Sequence, residues 1–293
     1  MIISGHSDGT VKLLDGSRSE LDEISVIEID TSFGLGQASN PSPVNKVSFS
    51  GHTTDLIISN DDGDTILYKF GNNRLYDPNI TRNDYDLDSS LTMKLKKKNA
   101  PSNSHSLIVN VENNIPAYIH KGFLPIIMIR APRNGDGPKL TVTALKNSNI
   151  EFAAIAYNDG QIMVVDRRVS DIIFMENINK ISSKRKSTGS LSYVTSIEFG
   201  IMKGSEDAKY SSILMFLGTS VGNLITFQIV PGSSPNSRSR FQIKFLSCVD
   251  ADNSKIRNII PINADNGASA VAKTQEFAQL GSGVLIKGLI LTV

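Results

Sequence analysis

Four times along the chain, an apolar run leads through a short polar turn containing glycine into a second apolar run. The first copy is residues 1–5, the turn His6-Ser7-Asp8-Gly9 and residues 10–15. The second is residues 55–60, Asp61-Asp62-Gly63-Asp64 and residues 65–70, and the third is residues 152–157, Asn158-Asp159-Gly160 and residues 161–166. The fourth is residues 213–219, Ser220-Val221-Gly222-Asn223 and residues 224–230. Asp-Gly between apolar runs is a strong hairpin signal, because the favoured turns need a positive φ that glycine adopts freely and Asn or Asp tolerate. Each copy therefore predicts an antiparallel hairpin, with Asp8 and Gly9, Asp62 and Gly63, Asp159 and Gly160, or Gly222 at its turn.

A further strand-like segment precedes each of the last three hairpins, at residues 44–49, 139–145 and 193–199, and candidate fourth strands follow at 172–175 and 241–246. A repeated four-stranded unit is the blade of a β-propeller. The hairpin strands are apolar at successive positions, as in Leu214-Met215-Phe216-Leu217, which suits sheets covered on both faces by neighbouring blades. The turn glycines Gly9, Gly63, Gly160 and Gly222 are spaced irregularly and further apart than the roughly 40 to 45 residues of a plain WD repeat, so the excess falls in loops. The largest is a disordered insertion at about 71–104, rich in Asn, Asp, Ser and Lys; shorter loops are expected at 31–43, 176–190 and 231–239. One helix is expected, within residues 268–280. The expected fold class is all-β: a partial WD-repeat-type β-propeller of about four blades, truncated at both ends, with residues 1–30 the end of one blade and 31–293 the blades that follow.

Composition narrows the function. With 293 residues, 40% of them hydrophobic and 20% charged, the chain is expected to fold around a sizeable core. A formal net charge of +1 sets up no global field toward nucleic acid. The single cysteine, Cys248, excludes an internal disulfide framework and fits a reducing compartment. No apolar run approaches the roughly 18 residues of a membrane helix, and residues 1–5 lack the features of a secretory signal. In that setting the acceptor pattern Asn79-Ile80-Thr81 is a chance match.

Catalytic, metal and cofactor chemistry finds no support. His6, His52, His105 and His120 stand far apart and never at metal-ligand spacing. After Gly34-Leu35-Gly36 come Ser39-Asn40-Pro41-Ser42-Pro43 where a phosphate-binding helix would have to start, and Gly135-Asp136-Gly137-Pro138-Lys139 lacks the Ser or Thr of a P-loop. The turn Asp61-Asp62-Gly63-Asp64 resembles part of a calcium loop without its bidentate glutamate. No cofactor and no enzymatic activity are expected. Asp15 and Asp166 end their strands and are assigned the hydrogen bonding of neighbouring turns. Lys94, Lys96, Lys97 and Lys98, and separately Arg167, Arg168, Lys184, Arg185 and Lys186, read first as solvated loop charge. Among them Lys96, Lys97, Lys98, Lys184, Arg185 and Lys186 are candidates for contact with an acidic partner or anionic lipid, an attraction of about 1 kcal/mol per charge.

The stretch Gly5-His6-Ser7-Asp8-Gly9-Thr10-Val11-Lys12-Leu13-Leu14-Asp15 resembles the Gly-His-x-Asp-Gly-Thr-Val-x-x-Trp-Asp segment of the lethal giant larvae and tomosyn family, with Leu14 in place of the tryptophan. More specific is Lys121-Gly122-Phe123-Leu124-Pro125-Ile126-Ile127-Met128-Ile129, similar to that family's Gly-Phe-x-Pro strand leading into a blade. The likeness covers most of residues 2–230 and is greatest to the yeast-type members. It implies a piece spanning the end of the first and the start of the second propeller of a longer protein. It further implies a regulator of polarised exocytosis that binds a plasma-membrane t-SNARE, acts downstream of a secretory Rab GTPase and contacts the exocyst. The implied location is cytoplasmic with peripheral plasma-membrane association. Animal members carry a long polybasic, phosphorylated loop; the matching segment from Lys180 to Thr188 is much shorter. The alternatives are a generic WD-repeat scaffold with unrelated partners, or a truncated fragment without function.

Overall fold

The computed structural model describes residues 2–14, 27–30, 42–81, 96–98, 108–111, 117–131, 139–182, 192–204, 207, 209–232, 238–251, 254–273 and 288–293. These divide into two compact units, Met1–Val142 and Thr143–Val293.

In the first unit β1 (Ile2–Gly5), β2 (Thr10–Leu14) and β3 (Ile27–Asp30) form an antiparallel sheet in chain order. A larger sheet is built from β4 (Val44–Ser50), β5 (Asp55–Asn60), β6 (Thr65–Asn72), β7 (Lys96–Lys98), β8 (Ile108–Val111) and β9 (Lys121–Arg130), in the spatial order β4-β5-β6-β9-β8-β7. Every residue of β5 is buried, as the unbroken apolar run Leu56-Ile57-Ile58 requires of a strand covered on both faces. Val11 and Leu13 of β2 pack with Leu56, Ile58, Ile66, Tyr68 and Met128, so the two sheets stack face to face. At Gly5 there is no room for a side chain: a Cβ there would clash with the side chain of Val44, 2.9 Å from its Cβ.

The second unit holds two four-stranded meanders. The strands β10 (Val142–Asn147), β11 (Phe152–Tyr157), β12 (Gln161–Asp166) and β13 (Asp171–Asn177) form one; β14 (Val194–Lys203), β15 (Ser211–Thr219), β16 (Asn223–Pro231) and β17 (Phe241–Asp250) form the other. A short helix, α1 (Ile178–Ser182), follows β13, and β18 (Ile259–Asn263) pairs with β19 (Gly288–Thr292). Phe152, Ala154, Val164, Ile197, Phe199, Met215, Leu217 and Phe227 form a shared core between the two meanders. A second core of Met202, Leu214, Phe216, Ile256 and Ile259 joins β14–β15 to β18. The architecture is all-β with four-stranded, WD-type blades.

The fourth strands of three sheets carry the same irregularity. One residue of β9, β13 and β17 has no cross-strand partner: Ile126, Ile173 and Leu246. The slip falls between Leu67 and Tyr68, between Val164 and Val165, and between Thr226 and Phe227, each time four and five residues after the turn glycine. A bulge at a fixed place adds local twist to the outer edge of the blade.

Three expectations are corrected or sharpened. The segment Lys121–Arg130 does not simply lead into the next blade; it pairs with β6 from Thr65↔Ile129 to Asn72↔Lys121 and supplies the fourth strand of the second sheet. Within residues 71–104, β6 runs on to Asn72, Asn73 donates through Nδ2 to the carbonyl of Ile119 at 2.9 Å, and Lys96–Lys98 form β7; residues 82–95 and 99–104 lie outside the described residues. Residues 268–273 are not helical. Their backbone is used by neighbours, Ile201 N–H donating to the Ala270 carbonyl and Ala272 N–H to that of Phe199, which leaves nothing for a helical ladder. Residues 274–280 lie outside the described residues.

Candidate interaction surface

The turn residues singled out in the sequence are used locally. Gly9, Gly63, Gly160 and Gly222 have φ of 80°, 79°, 85° and 85°, the left-handed region that an Asp-Gly turn demands. Asp8 accepts hydrogen bonds from the Thr10 N–H and hydroxyl at 3.0 and 2.7 Å, and these hold its carboxyl below the usual range. Asp62 pairs with Lys139 at 3.0 Å, and Asp159 accepts from the backbone and side-chain amides of Gln161 at 2.9 and 2.7 Å. In the last hairpin, which has no Asp, the Thr219 hydroxyl accepts from Asn223 N–H at 2.9 Å instead. Asp64 is buried and accepts the Ala131 N–H at 2.9 Å, which commits the acidic turn to holding β9 against β6.

Asp166 ends β12 almost wholly buried. It accepts two hydrogen bonds from the Arg168 guanidinium, at 2.8 and 3.1 Å, and one from the Ser239 hydroxyl at 2.6 Å. The Arg168 guanidinium lies against the rings of both Phe152 and Phe241, 4.6 and 4.5 Å from their centroids, and the two rings meet edge-on at 5.5 Å. Asp171, also buried, accepts the Arg238 N–H at 2.6 Å. Arg167 points inward and donates to the Ser148 carbonyl at 2.9 Å; burial, reinforced by Arg168, lowers its pKa to about 10. This constellation fastens the segment before β17 to the blade of β10–β13. Its polar atoms face one another, and it has the form of a structural lock.

The basic residues divide. Lys96, Lys97 and Lys98 form β7, the outermost strand of the six-stranded sheet, while Lys184, Arg185 and Lys186 lie outside the described residues, as do Asp15, His105, Gly34–Gly36 and residues 135–138. His6 shares a 3.0 Å hydrogen bond with Ser4, and the His120 ring lies 4.7 Å from that of Tyr76. Among the described residues no three His, Cys, Asp or Glu side chains gather where they could hold a metal ion. No described helix is long and apolar enough to cross a membrane. Cys248 is buried in the second unit.

Sequence reasoning missed the exposed apolar side chains. Phe245, Leu246 and Val249 of β17 are 51%, 37% and 54% exposed, and Ile260, Leu289, Leu291 and Val293 stand open on the β18–β19 hairpin. The sequence carried no signal for them, since adjacent apolar residues of the same kind in β11 and β15 are buried.

A family model described as "Lethal giant larvae(Lgl) like, C-terminal" matches residues 42–293. The Lethal(2) giant larvae protein homolog SRO77 of Saccharomyces cerevisiae is 34% identical over 291 residues, 99% of this chain and 26% of that protein. An uncharacterized protein of Schizosaccharomyces pombe is 33% identical over 142 residues, 48% of this chain and 13% of its own length. The chain thus spans about a quarter or less of each of these relatives. Among solved structures, the WD40 domain of SCAP from fission yeast aligns at a TM-score of 0.38 and 9% identity, over 75% of this chain and 36% of that one. The β-propeller domain of Myceliophteria thermophila Cps50 (Swd1) aligns at 0.30 and 12%, over 85% and 68%. At such scores the fold rests on sheet order and register in the chain itself.

Proposed function

The chain belongs to the lethal giant larvae family, and from that premise we propose that it is part of a protein-binding regulator of polarised exocytosis, acting on vesicle docking and SNARE assembly. The observation that carries this reading is the 34% identity to SRO77 over 99% of the chain. The partners are a plasma-membrane t-SNARE, a secretory Rab GTPase and an exocyst subunit. Binding, not catalysis, is the mode of action: blades offer rigid edges and loops on which partners assemble. The protein works in the cytoplasm and at the inner face of the plasma membrane. There Lys96–Lys98, on the outermost strand of their sheet, together with Lys184, Arg185 and Lys186, contact acidic partners or lipid headgroups. Residues 1–30 are the end of one blade and 31–293 the blades that follow.

Pull-down with the immobilised 293-residue chain, and with a version extended at both ends, tests the proposal. The extended chain is expected to retain the t-SNARE and the GTP-loaded Rab, and the shorter chain to retain less. If neither retains a t-SNARE or a Rab while both are folded, the exocytosis reading fails.

A further inference from the structure

In the second sheet the outer edge of β9 is not left open. A short strand that follows the insertion, β8, lies along it in antiparallel register, Ile108↔Arg130, Val109↔Ile129 and Asn110↔Met128. The chain therefore shows on itself what an outer blade edge accepts: an added extended segment, antiparallel and largely apolar. Among the described residues β17 is the outermost strand of its own sheet. It shares the bulge of β9, yet it is ten residues long and exposed at six of them. Phe245 packs edge-on against Phe227 with ring centroids 5.9 Å apart, while Leu246, the bulged residue, lies over Gly204 on the other face. The edge thus presents apolar side chains on both faces, with Val249 beyond them.

Natural sheet edges are usually blunted by charge, proline or a cover. The charges of β17 are instead segregated. Arg238, Arg240 and Lys244 are exposed at its start and Asp250 at its end. An antiparallel strand laid on this edge would bring its C-terminal part to the basic end and its N-terminal part to Asp250.

We propose that the outer edge of β17 accepts an extended segment of a partner protein as a fifth, antiparallel strand, with apolar residues beside Phe245, Leu246 and Val249 and acidic residues toward its C-terminal end beside Arg240 and Lys244. Main-chain hydrogen bonds supply the affinity, and side-chain pairs supply direction and choice. The inference rests on β17 and on the precedent of β8 along β9, and stands or falls separately from the exocytosis reading.

Two labelled synthetic peptides of identical composition test it on the 293-residue chain. Each alternates valine with threonine over about ten residues, the length of β17; one carries two glutamates at its C-terminal end and the other at its N-terminal end. The first is expected to bind about tenfold more tightly, the upper range for two exposed ion pairs, and to slow amide exchange across residues 241–250. The double variant Arg240→Glu/Lys244→Glu, which alters only exposed side chains, is expected to reverse the preference. Equal affinity for the two peptides, protection elsewhere than residues 241–250, or no binding of either would overturn the proposal. So would sedimentation showing the edge taken up by a second copy of the chain, in a dimer that Phe245→Lys dissociates.

Discussion

Ser239 donates a 2.6 Å hydrogen bond to Oδ2 of Asp166, a carboxylate 2% exposed at the end of β12 and 73 residues earlier in the chain. The bond ties the approach to β17 to the preceding blade. The same carboxylate grips Arg168, so one acidic residue holds a turn, a stacked guanidinium and a distant loop.

Removing that carboxylate takes away the acceptor of two Arg168 hydrogen bonds and of the Ser239 hydroxyl. Asp166→Ala is expected to lower stability by about 3 kcal/mol, as for a broken buried ion pair. Ser239→Ala removes one neutral donor and is expected to cost about 1 kcal/mol. Urea unfolding followed by tyrosine fluorescence checks both; equal effects would show that Arg168 contributes nothing to the lock.

Arg168→Lys keeps the charge and loses the shape. Lysine offers neither a planar fork for the two oxygens of Asp166 nor a flat face for Phe152 and Phe241. A loss of about 1–2 kcal/mol is expected, in the range of one cation–π contact plus one charged hydrogen bond. Thermal melting of the two proteins at equal concentration is the measurement.

Three glycines separate backbone strain from crowding. At Gly160 a Cβ would meet the Asn179 side chain and stand 2.8 Å from the Ser192 carbonyl oxygen, with φ already at +85°. At Gly267 φ is +68° with open space around it, and at Gly71 there is neither a positive φ nor a neighbour within 4 Å. Alanine is expected to cost well over 2 kcal/mol at Gly160, about 1 kcal/mol at Gly267 and nothing measurable at Gly71. A different order in denaturant midpoints would contradict the turn geometry.

Arg167 makes stability rise with alkaline pH. Burial lowers its pKa to about 10, so below that pH the folded and unfolded chains both carry the charge and the cost of burying it is present in full. As pH rises through about 10 toward the ordinary arginine value, the folded chain gives up the proton first. The unfolded chain then binds more protons, and stability rises with pH. Urea midpoints of the wild type measured against Arg167→Met at about pH 8, 10 and 11 are expected to shift in favour of the wild type only at the upper end.

The hairpins were legible because their signals are local. Asp-Gly between apolar runs specifies a positive φ at one residue, and the four glycines lie within 6° of one another, from 79° to 85°. The outer strand of the second blade was harder to place, since Lys121–Arg130 is separated from β6 by the whole insertion and only pairing with Thr65–Asn72 assigns it to that sheet. The helix expected in residues 268–280 failed over 268–273 for a related reason. Alanine favours a helix locally, but hydrogen bonds to the carbonyls of Phe199 and Pro261 and from the Ile201 N–H claim those backbone groups first.

What the sequence determined by itself is therefore the four hairpins, their turns and the family, because each depends on residues that are neighbours in the chain. What only the tertiary structure decided is which atoms meet across it: the seat of Asp166 against Arg168 and Ser239, the recurrent bulge after Gly63, Gly160 and Gly222, the strand β8 on the edge of β9, and the exposure of Phe245, Leu246 and Val249. Burial is a property of the neighbours brought by folding, and an apolar residue carries no mark of whether its neighbour will arrive.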